Sequence, residues 1–477
     1  MPNTSRPRKI AADLLAPSPV ANTRSPGARG LSASYPNAAY AWYVVGVLFA
    51  ATLLSQLDRQ LPALLVRPLK QEFGISDTAF SLLQGYGFAI FYTLAGLPLG
   101  RFVDRGNRRN LIVVGLVFWS LATGLFAFAQ NYTFLLLARV GVGIGEAVLA
   151  PAAYSLIADY IAPRRRGRAM AVYYVSLAIG SGASLLLGGW LLGAIPHEGL
   201  QIAGLGQFST WRAAFLIAAL PGAPLALVLL LSLREPARHE VAGTPVTRTT
   251  PTVGDFVRYL RAHSGTFLRV LTYPTLLSII GYGALAWAPA QFDRRFAIPA
   301  AKSGIVIGIV VAAAGGIGTL LSGFLSDYWS NRGVNAARLR VAFVGVLLLP
   351  APAVLWPLVG SPLLAYGLLF LTVFSLSIAQ SAAPALIQAV VPNRMRGQAI
   401  ACYLLLAGLM GIGLGPTLVA MLTDFVFKDH SALRYSLALS AAPTALFALW
   451  LVGSGLKYYQ ATLAALQKSN ISEATEC

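Results

Sequence analysis

Apolar positions along this chain come in long unbroken runs rather than in alternation or in narrow stripes. Twelve such runs are centred near residues 52, 90, 120, 147, 180, 222, 278, 314, 349, 375, 410 and 446. Each approaches the roughly 20 residues that carry a helix across a bilayer. An outer-membrane barrel would instead show short segments of alternating polarity. The pattern therefore predicts an all-α polytopic membrane protein with twelve transmembrane helices.

The polar interruptions divide those runs six and six. The longest, 234–265, reads REPARHEVAGTPVTRTTPTVGDFVRYLRAHSG. Its first part has the composition of a flexible linker, and TVGDFVRYLRAH suits a short amphipathic helix lying on the membrane surface. The expected organisation is a tail (1–40), a six-helix half (41–233), the linker (234–265), a second six-helix half (266–458) and a C-terminal tail (459–477). The first tail is rich in Pro, Ser, Ala and Arg and lacks the apolar core of a signal peptide, so it is expected to be disordered.

The two halves echo each other. PRRRGRAMAVYY at 163–174 matches PNRMRGQAIACY at 392–403, pairing Arg166, Gly167, Ala169, Ala171 and Tyr173 with Arg396, Gly397, Ala399, Ala401 and Tyr403 at an offset of 230. A further echo sets Gly100 and Asp104 against Gly323 and Asp327, at the ends of the second and eighth spans. Same-orientation repeats of six spans predict two halves related by a pseudo-two-fold axis along the membrane normal.

Composition and charge sharpen this picture. The chain is 56% hydrophobic and only 11% charged, against about a quarter charged in soluble domains. Its net charge of +19 is unevenly spread. With the N-terminus placed in the cytoplasm, the cytoplasmic segments carry 26 of the 36 Lys and Arg, and the opposite face carries 8. That is the positive-inside asymmetry of a membrane protein and not a nucleic-acid surface. It predicts both termini cytoplasmic, in what is expected to be a bacterial inner membrane. Cys402 and Cys477 are isolated, so no disulfide framework or metal site is readable, and no cofactor is expected.

The loop GRFVDRGNRR (100–109) follows the second span. With twelve spans and a repeat in place, the chain resembles the major facilitator superfamily over essentially residues 40–460. Gly100, Asp104, Arg105, Arg108 and Arg109 fit that superfamily's loop pattern, although a glycine comes one place early at Gly106. The resemblance implies that this loop, with Asp104 foremost, is a conformational latch between the halves, and that the protein is a monomer. Three segments narrow the resemblance: ARVGVGIGEA on the fourth span, LDRQ on the first, and FGISDTAFSLLQ leading into span two. Together they are similar to the spinster-like branch, which is linked with lipid transport. That resemblance implies that Asp58, Arg139 and Glu146 are the functional charges.

The residues themselves lead to the same trio. Gly141, Gly143 and Gly145 follow no strand and lie inside an apolar run, so they do not form a dinucleotide loop. Gly141 and Gly145 form instead a small-xxx-small pair for close helix packing. At about 1.5 Å per residue, Arg139 and Asp58 both lie roughly 12 Å from the outer end of their spans, and Glu146 roughly 22 Å. Asp58 and Arg139 can therefore pair if the first and fourth spans are neighbours, with Glu146 two turns away on the face of Arg139. One arginine beside two acids leaves a carboxylate to bind a proton, the outline of a coupling site. Arg59, next to Asp58, points to another helix face, and its partner stays open at this level.

The second half offers only mild polar groups, such as Ser375, Ser377, Gln380, Ser381 and Gln388. A cavity charged on one wall and apolar on the other suits an amphiphile. No nucleotide motif, nucleophile–base pair or metal cluster points to a pump or an enzyme. The sequence thus predicts a proton-coupled transporter of a lipid or similar amphiphile working by alternating access, with a multidrug or organic-ion transporter as the alternative. Its partners are the amphiphilic substrate, protons and the bilayer, with no nucleic acid.

Overall fold

The computed structural model of the chain describes residues 35–204, 206–238 and 252–475. Most of the tail expected to be disordered, and the part of the linker expected to be flexible, lie outside the described residues.

Twelve helical segments run back and forth. In the first half they are span 1 (Ala38–Leu64), span 2 (Asp77–Gly96 with Pro98–Arg105), span 3 (Arg108–Phe128), span 4 (Tyr132–Tyr160), span 5 (Pro163–Ala194) and span 6 (Thr210–Ser232). In the second half they are span 7 (Ser264–Phe296), span 8 (Ala300–Asn331), span 9 (Ala337–Leu355), span 10 (Pro362–Ala389), span 11 (Arg396–Phe427) and span 12 (His430–Gly453). Ten are long and apolar enough to cross a membrane as single helices. Span 2 does so as a pair bent by 42° at Pro98, where the ring and the missing N–H break the helical ladder. Span 5 opens with the basic cluster of the repeat, at 164–168, and is apolar beyond it.

Span 1 starts, and span 12 ends, on what is here called the terminal face; the other is the distal face. The distal face carries the short helix Val66–Phe73 and an antiparallel hairpin, Leu200–Ile202 with Gly206–Phe208. The surface segment of the linker is a helix, Val253–Ala262, opened by a reciprocal Thr252–Asp255 capping box. Tyr259 fastens it by donating to the Val390 carbonyl at 2.9 Å.

The repeat seen in the sequence is also a repeat of contacts. Arg166 donates to the Ala158 carbonyl and Arg396 to the Gln388 carbonyl, eight residues back in each case and 230 residues apart. Ala169 and Ala399, and Tyr173 and Tyr403, are buried at matching places.

The halves meet at the distal end. One apolar cluster runs through the first half and into the distal parts of spans 7, 8, 10, 11 and 12, including Trp287, Phe292, Ile307, Leu369, Val419 and Leu433. Another is confined to the second half. Backbone approach follows the same division. A Cβ on Gly182 would lie 2.5 Å from Ala312 N, one on Gly189 2.7 Å from the Ala301 carbonyl, and one on Gly85 2.6 Å from the Ile412 carbonyl. Toward the terminal face, Gly100, Gly167, Gly316 and Gly397 have no such neighbour within 4 Å. Spans 2, 5, 8 and 11 are therefore zipped distally and free of these contacts terminally.

Candidate functional site

Span 4 supplies the charges deepest in the first half, and its glycines decide how close its neighbours come. A Cβ on Gly145 would lie 2.8 Å from the Trp119 side chain and 2.9 Å from its backbone nitrogen on span 3. One on Gly143 would meet the Phe88 carbonyl of span 2 at 2.9 Å, and one on Gly141 would meet Ala122 at 3.1 Å. Three alternate glycines thus seat two different helices, which brings the side chains of spans 1 to 4 around one centre.

At that centre Arg59 is the partner of Glu146. Arg59 Nε donates to Glu146 Oε2 at 2.7 Å, and Ser55 Oγ donates to the same oxygen at 2.7 Å. The Glu146 side chain is wholly buried, and its other oxygen, Oε1, has no hydrogen-bond partner among the described residues. The Arg59 guanidinium is flanked by two aromatic faces, Phe88 at 4.7 Å and Tyr92 at 4.8 Å, and its side chain keeps 19% of its surface.

Arg139 does not bind the Asp58 carboxylate, the pairing that equal depth suggests. It donates to the Asp58 backbone carbonyl at 3.0 Å and, more weakly, to the carbonyls of Gln84 and Arg59. The reason is local. Pro62 stands four residues after Asp58 and has no N–H, so the Asp58 carbonyl loses its helical donor. Gln84 lies in a π-helical turn, Leu82–Tyr86, where the regular ladder is also interrupted. Arg139 therefore caps backbone defects in two neighbouring spans.

The Asp58 side chain turns toward span 3, beside Thr123 and Trp119. Neither of its oxygens has a hydrogen-bond partner at normal geometry among the described residues, and neither do Trp119 Nε1 and Thr123 Oγ1. Successive helical residues project about 100° apart. Asp58 and Arg59 therefore serve different neighbours, and Arg59 is the one that faces the glutamate. Position in the chain sets height along a helix but not direction, which is why the sequence leaves Arg59 without a partner and points Arg139 at Asp58.

The loop expected to act as a latch binds within its own half. Arg108, 1% exposed, joins Asp159, Glu235 at 2.7 Å and Ser155 at 2.7 Å. Arg109 gives its backbone N–H to Glu235 and its guanidinium to the Leu230 and Leu233 carbonyls. The Asp104 and Arg105 side chains are exposed, and Arg238 binds the Asp104 carbonyl rather than its carboxylate. The displaced glycine has an explanation: Asn107, next to it, caps span 3 by accepting from Asn110 N at 2.9 Å.

The polar link between the halves lies at the other end, on residues to which the sequence alone assigns no role. Asp77, fully buried at the start of span 2, accepts from Arg294 of span 7 with both oxygens, at 2.7 and 2.8 Å. Lys70 also binds it, and His430 lies 3.4 Å away. Beside it, Thr78 N donates to Asp424 of span 11 at 2.6 Å. Asp77, Asp424 and His430 are close enough to suit a metal ion, but here protein donors occupy both carboxylates. The available signal was an acid just after a serine cap at a span entrance, and a basic pair at the exit of span 7.

Beyond Arg59 the walls turn apolar. Tyr282 and Leu285 of span 7 border the small space around Arg59 and Arg139, and also a cavity of about 180 Å³ between spans 5, 7, 8 and 10. Ser181, Ser278, Thr372, Ser377 and Gln380 are its polar points, among Ile307, Val311, Leu369 and Val373. Of the span 10 groups expected in a cavity, Ser377 and Gln380 line it, whereas Ser375 is buried and Ser381 and Gln388 are exposed.

Comparison with known proteins agrees with this architecture. A sequence model of the Major Facilitator Superfamily matches residues 48–416. An MFS-type efflux pump of Mycolicibacterium smegmatis is 33% identical over 395 residues, covering 82% of this chain and 86% of that protein. Human protein spinster homolog 1 is 28% identical over 443 residues, 87% of this chain and 80% of that one. Among solved structures, a bacterial homologue of the human lysosomal transporter spinster, inward-facing and unoccupied, superposes with a TM-score of 0.75. It is 25% identical and covers 91% of this chain and 98% of its own.

Proposed function

The chain belongs to the major facilitator superfamily, and from that premise we propose that it is a proton-coupled secondary transporter of an amphiphile, of the lysophospholipid or sphingolipid kind. The observation that carries this reading is the buried Arg59–Glu146 pair, whose arginine borders a small space that shares Tyr282 and Leu285 with the apolar cavity. Arg59 is a cation between two aromatic faces with part of its surface free, so it can take either of two anions. Without substrate, Glu146 holds it. A proton on Glu146 weakens that hold, and the anionic group of a substrate takes the guanidinium while its apolar part lies between spans 5, 7, 8 and 10.

Asp58 is the other proton carrier in this scheme. A bare charge near the bilayer centre costs at least about 2.5 kcal/mol, and no cation among the described residues bonds to the Asp58 carboxylate, since Arg139 reaches its backbone carbonyl instead. Arg139 keeps spans 1 and 2 in register through their carbonyls. The two halves then rock about the central site, with the distal contacts opening as the terminal ones close. The excess of basic residues on the terminal face supports placing that face in the cytoplasm and the protein in a bacterial inner membrane.

The test is transport into proteoliposomes. A fluorescent lysophospholipid should cross faster under an imposed proton gradient. Glu146→Gln and Asp58→Asn should each lose the gradient response, and Arg59→Gln should lose uptake at any pH. Wild-type response retained in both acid variants would overturn the coupling site. An alternative reading, export of amphiphilic organic ions, is favoured by the 33% identity to an MFS-type efflux pump. The same liposomes separate the two, because Arg59 favours anionic amphiphiles and a cationic dye carried equally well would support the alternative.

A further inference from the structure

A larger cavity, about 870 Å³, lies on the distal face and takes no part in the central site. Ligand pockets are commonly about 300–1,000 Å³. Both halves build it. Span 1, the helix Val66–Phe73 and the approaches to span 6 form one side, and the distal end of span 7 with the first residues of spans 8 and 12 form the other. Five basic side chains border it, namely Arg67, Lys70 and His197 from the first half and Arg294 and His430 from the second. Asp293 is the one acidic residue along its lining. Three permanent cations, Arg67, Lys70 and Arg294, face two acids, Asp293 and the adjoining Asp77, which leaves one positive charge over before either histidine is counted. An oxyanion entering the cavity would meet that excess charge.

The floor of this cavity is the Asp77 cluster. Lys70 and Arg294 donate to Asp77 and His430 adjoins it, while all three also border the cavity. Arg67 has a looser attachment, 3.6 Å from Asp293 with 69% of its side chain exposed. The rest of the wall is largely apolar, with Leu64, Leu65, Leu192 and Pro289.

We propose that this distal cavity is an additional binding site, for a phosphate-type oxyanion, and that its ligand draws Lys70 and Arg294 from Asp77 and so loosens the distal contact between the halves. The inference does not depend on what the central cavity carries. A phosphate group suits it because Arg offers a planar pair of donors and Lys a point charge, and an oxyanion can accept from both at once.

Calorimetry on the purified full-length chain tests it, with hexyl phosphate, inorganic phosphate and hexyltrimethylammonium as probes. Hexyl phosphate should bind and the ammonium should not. Arg67→Gln combined with His197→Gln alters two exposed residues that do not bond to Asp77, and should weaken hexyl phosphate about tenfold, the effect of losing roughly one charge-assisted contact. Arg59→Gln, which removes the central guanidinium and alters no residue bordering this cavity, should leave that binding within about twofold. Equal affinity for inorganic phosphate would make the ligand a free anion, and tighter hexyl phosphate would make it an amphiphile's headgroup; both support the site. Binding unchanged in the double variant, or lost in Arg59→Gln, overturns it. Spin labels at Gln130→Cys and Gly360→Cys, in distal turns outside the cavity, should move apart when hexyl phosphate binds. An unchanged distance overturns the coupling to the lock.

Discussion

Each end of the first half carries a cluster of arginine and carboxylate, and the two differ in what they join. At the terminal end, Arg108 holds Asp159 and Glu235, so spans 3 and 4 and the segment after span 6 are bound within one half. At the distal end, Asp77 holds Arg294, so span 2 is bound to span 7 across the halves. The chemistry is the same and the consequence is not. In the proposed rocking cycle, a contact inside a half is present in every state and contributes to folding, whereas a contact between halves exists in only some states and sets their populations.

The comparison breaks most visibly at Arg108. Arg108→Gln removes the cation that Asp159 and Glu235 share and should cost about 3 kcal/mol of stability, the low end for a broken buried pair because both carboxylates keep some contact with water. Thermal unfolding of the purified protein reads this as a clear fall in Tm. The distal distance between labels at Gln130→Cys and Gly360→Cys should not change. A shifted distance with unaltered Tm would reverse the roles assigned to the two clusters.

Two glycines of span 8, eight residues apart, repeat the contrast without any charge. A Cβ on Gly308 would lie 2.5 Å from the Gly182 carbonyl and from Leu186 N, across the halves. Gly308→Ala should therefore disfavour the distal-closed state by about 2 kcal/mol, within the usual range for overpacking. Gly316→Ala meets nothing within 4 Å and should be neutral or stabilise by up to about 1 kcal/mol through helix propensity. Label distances for both variants should diverge, and equal behaviour would mean that span 5 does not act as the distal closure.

Asp77→Asn is milder, since an amide still accepts one hydrogen bond from Arg294. It should shift the equilibrium toward distal opening by about tenfold, or about 1.4 kcal/mol, with little change in Tm. A fall in Tm matching that of Arg108→Gln, with distances unmoved, would make the Asp77 cluster a folding element instead.

Much of this architecture was legible in the sequence because it depends on one-dimensional signals. Run length gave the spans, and the offset of 230 reappears in the Arg166 and Arg396 hydrogen bonds. The Gly141 and Gly145 spacing marked span 4 for close helix packing. What depends on azimuth was not legible. Asp58 and Arg139 do share a height, yet the carboxylate faces Trp119 and the backbone carbonyl takes the arginine. Pro62, four residues beyond Asp58, was a readable sign that a carbonyl would need a donor. Arg294 and Asp77 are 217 residues apart, and no local pattern links them. The residues expected to form a latch stand out as a motif, but a motif does not say in which conformation its contacts form. Here Asp104 stands exposed while the distal face is closed.

The smallest effect is expected at a terminal-face contact in the linker helix, which is tied to the second half alone. Asp255 accepts from the Thr252 backbone N–H and hydroxyl, and these bonds hold its carboxyl below the usual aspartate value. A depressed value in the folded state means that the cap stabilises the helix Val253–Ala262 above the unfolded value of about 3.9. That contribution fades as pH falls through the lower, folded value. Hydrogen exchange, corrected for intrinsic rates, should show this helix fraying at acid pH, and Thr252→Ala should show the same fraying already at neutral pH. Because Tyr259 ties the helix to Val390 of its own half, the distal label distance should stay constant in Thr252→Ala at neutral pH. A distal distance that moved with this cap would mean that contacts inside a half also set the balance between states.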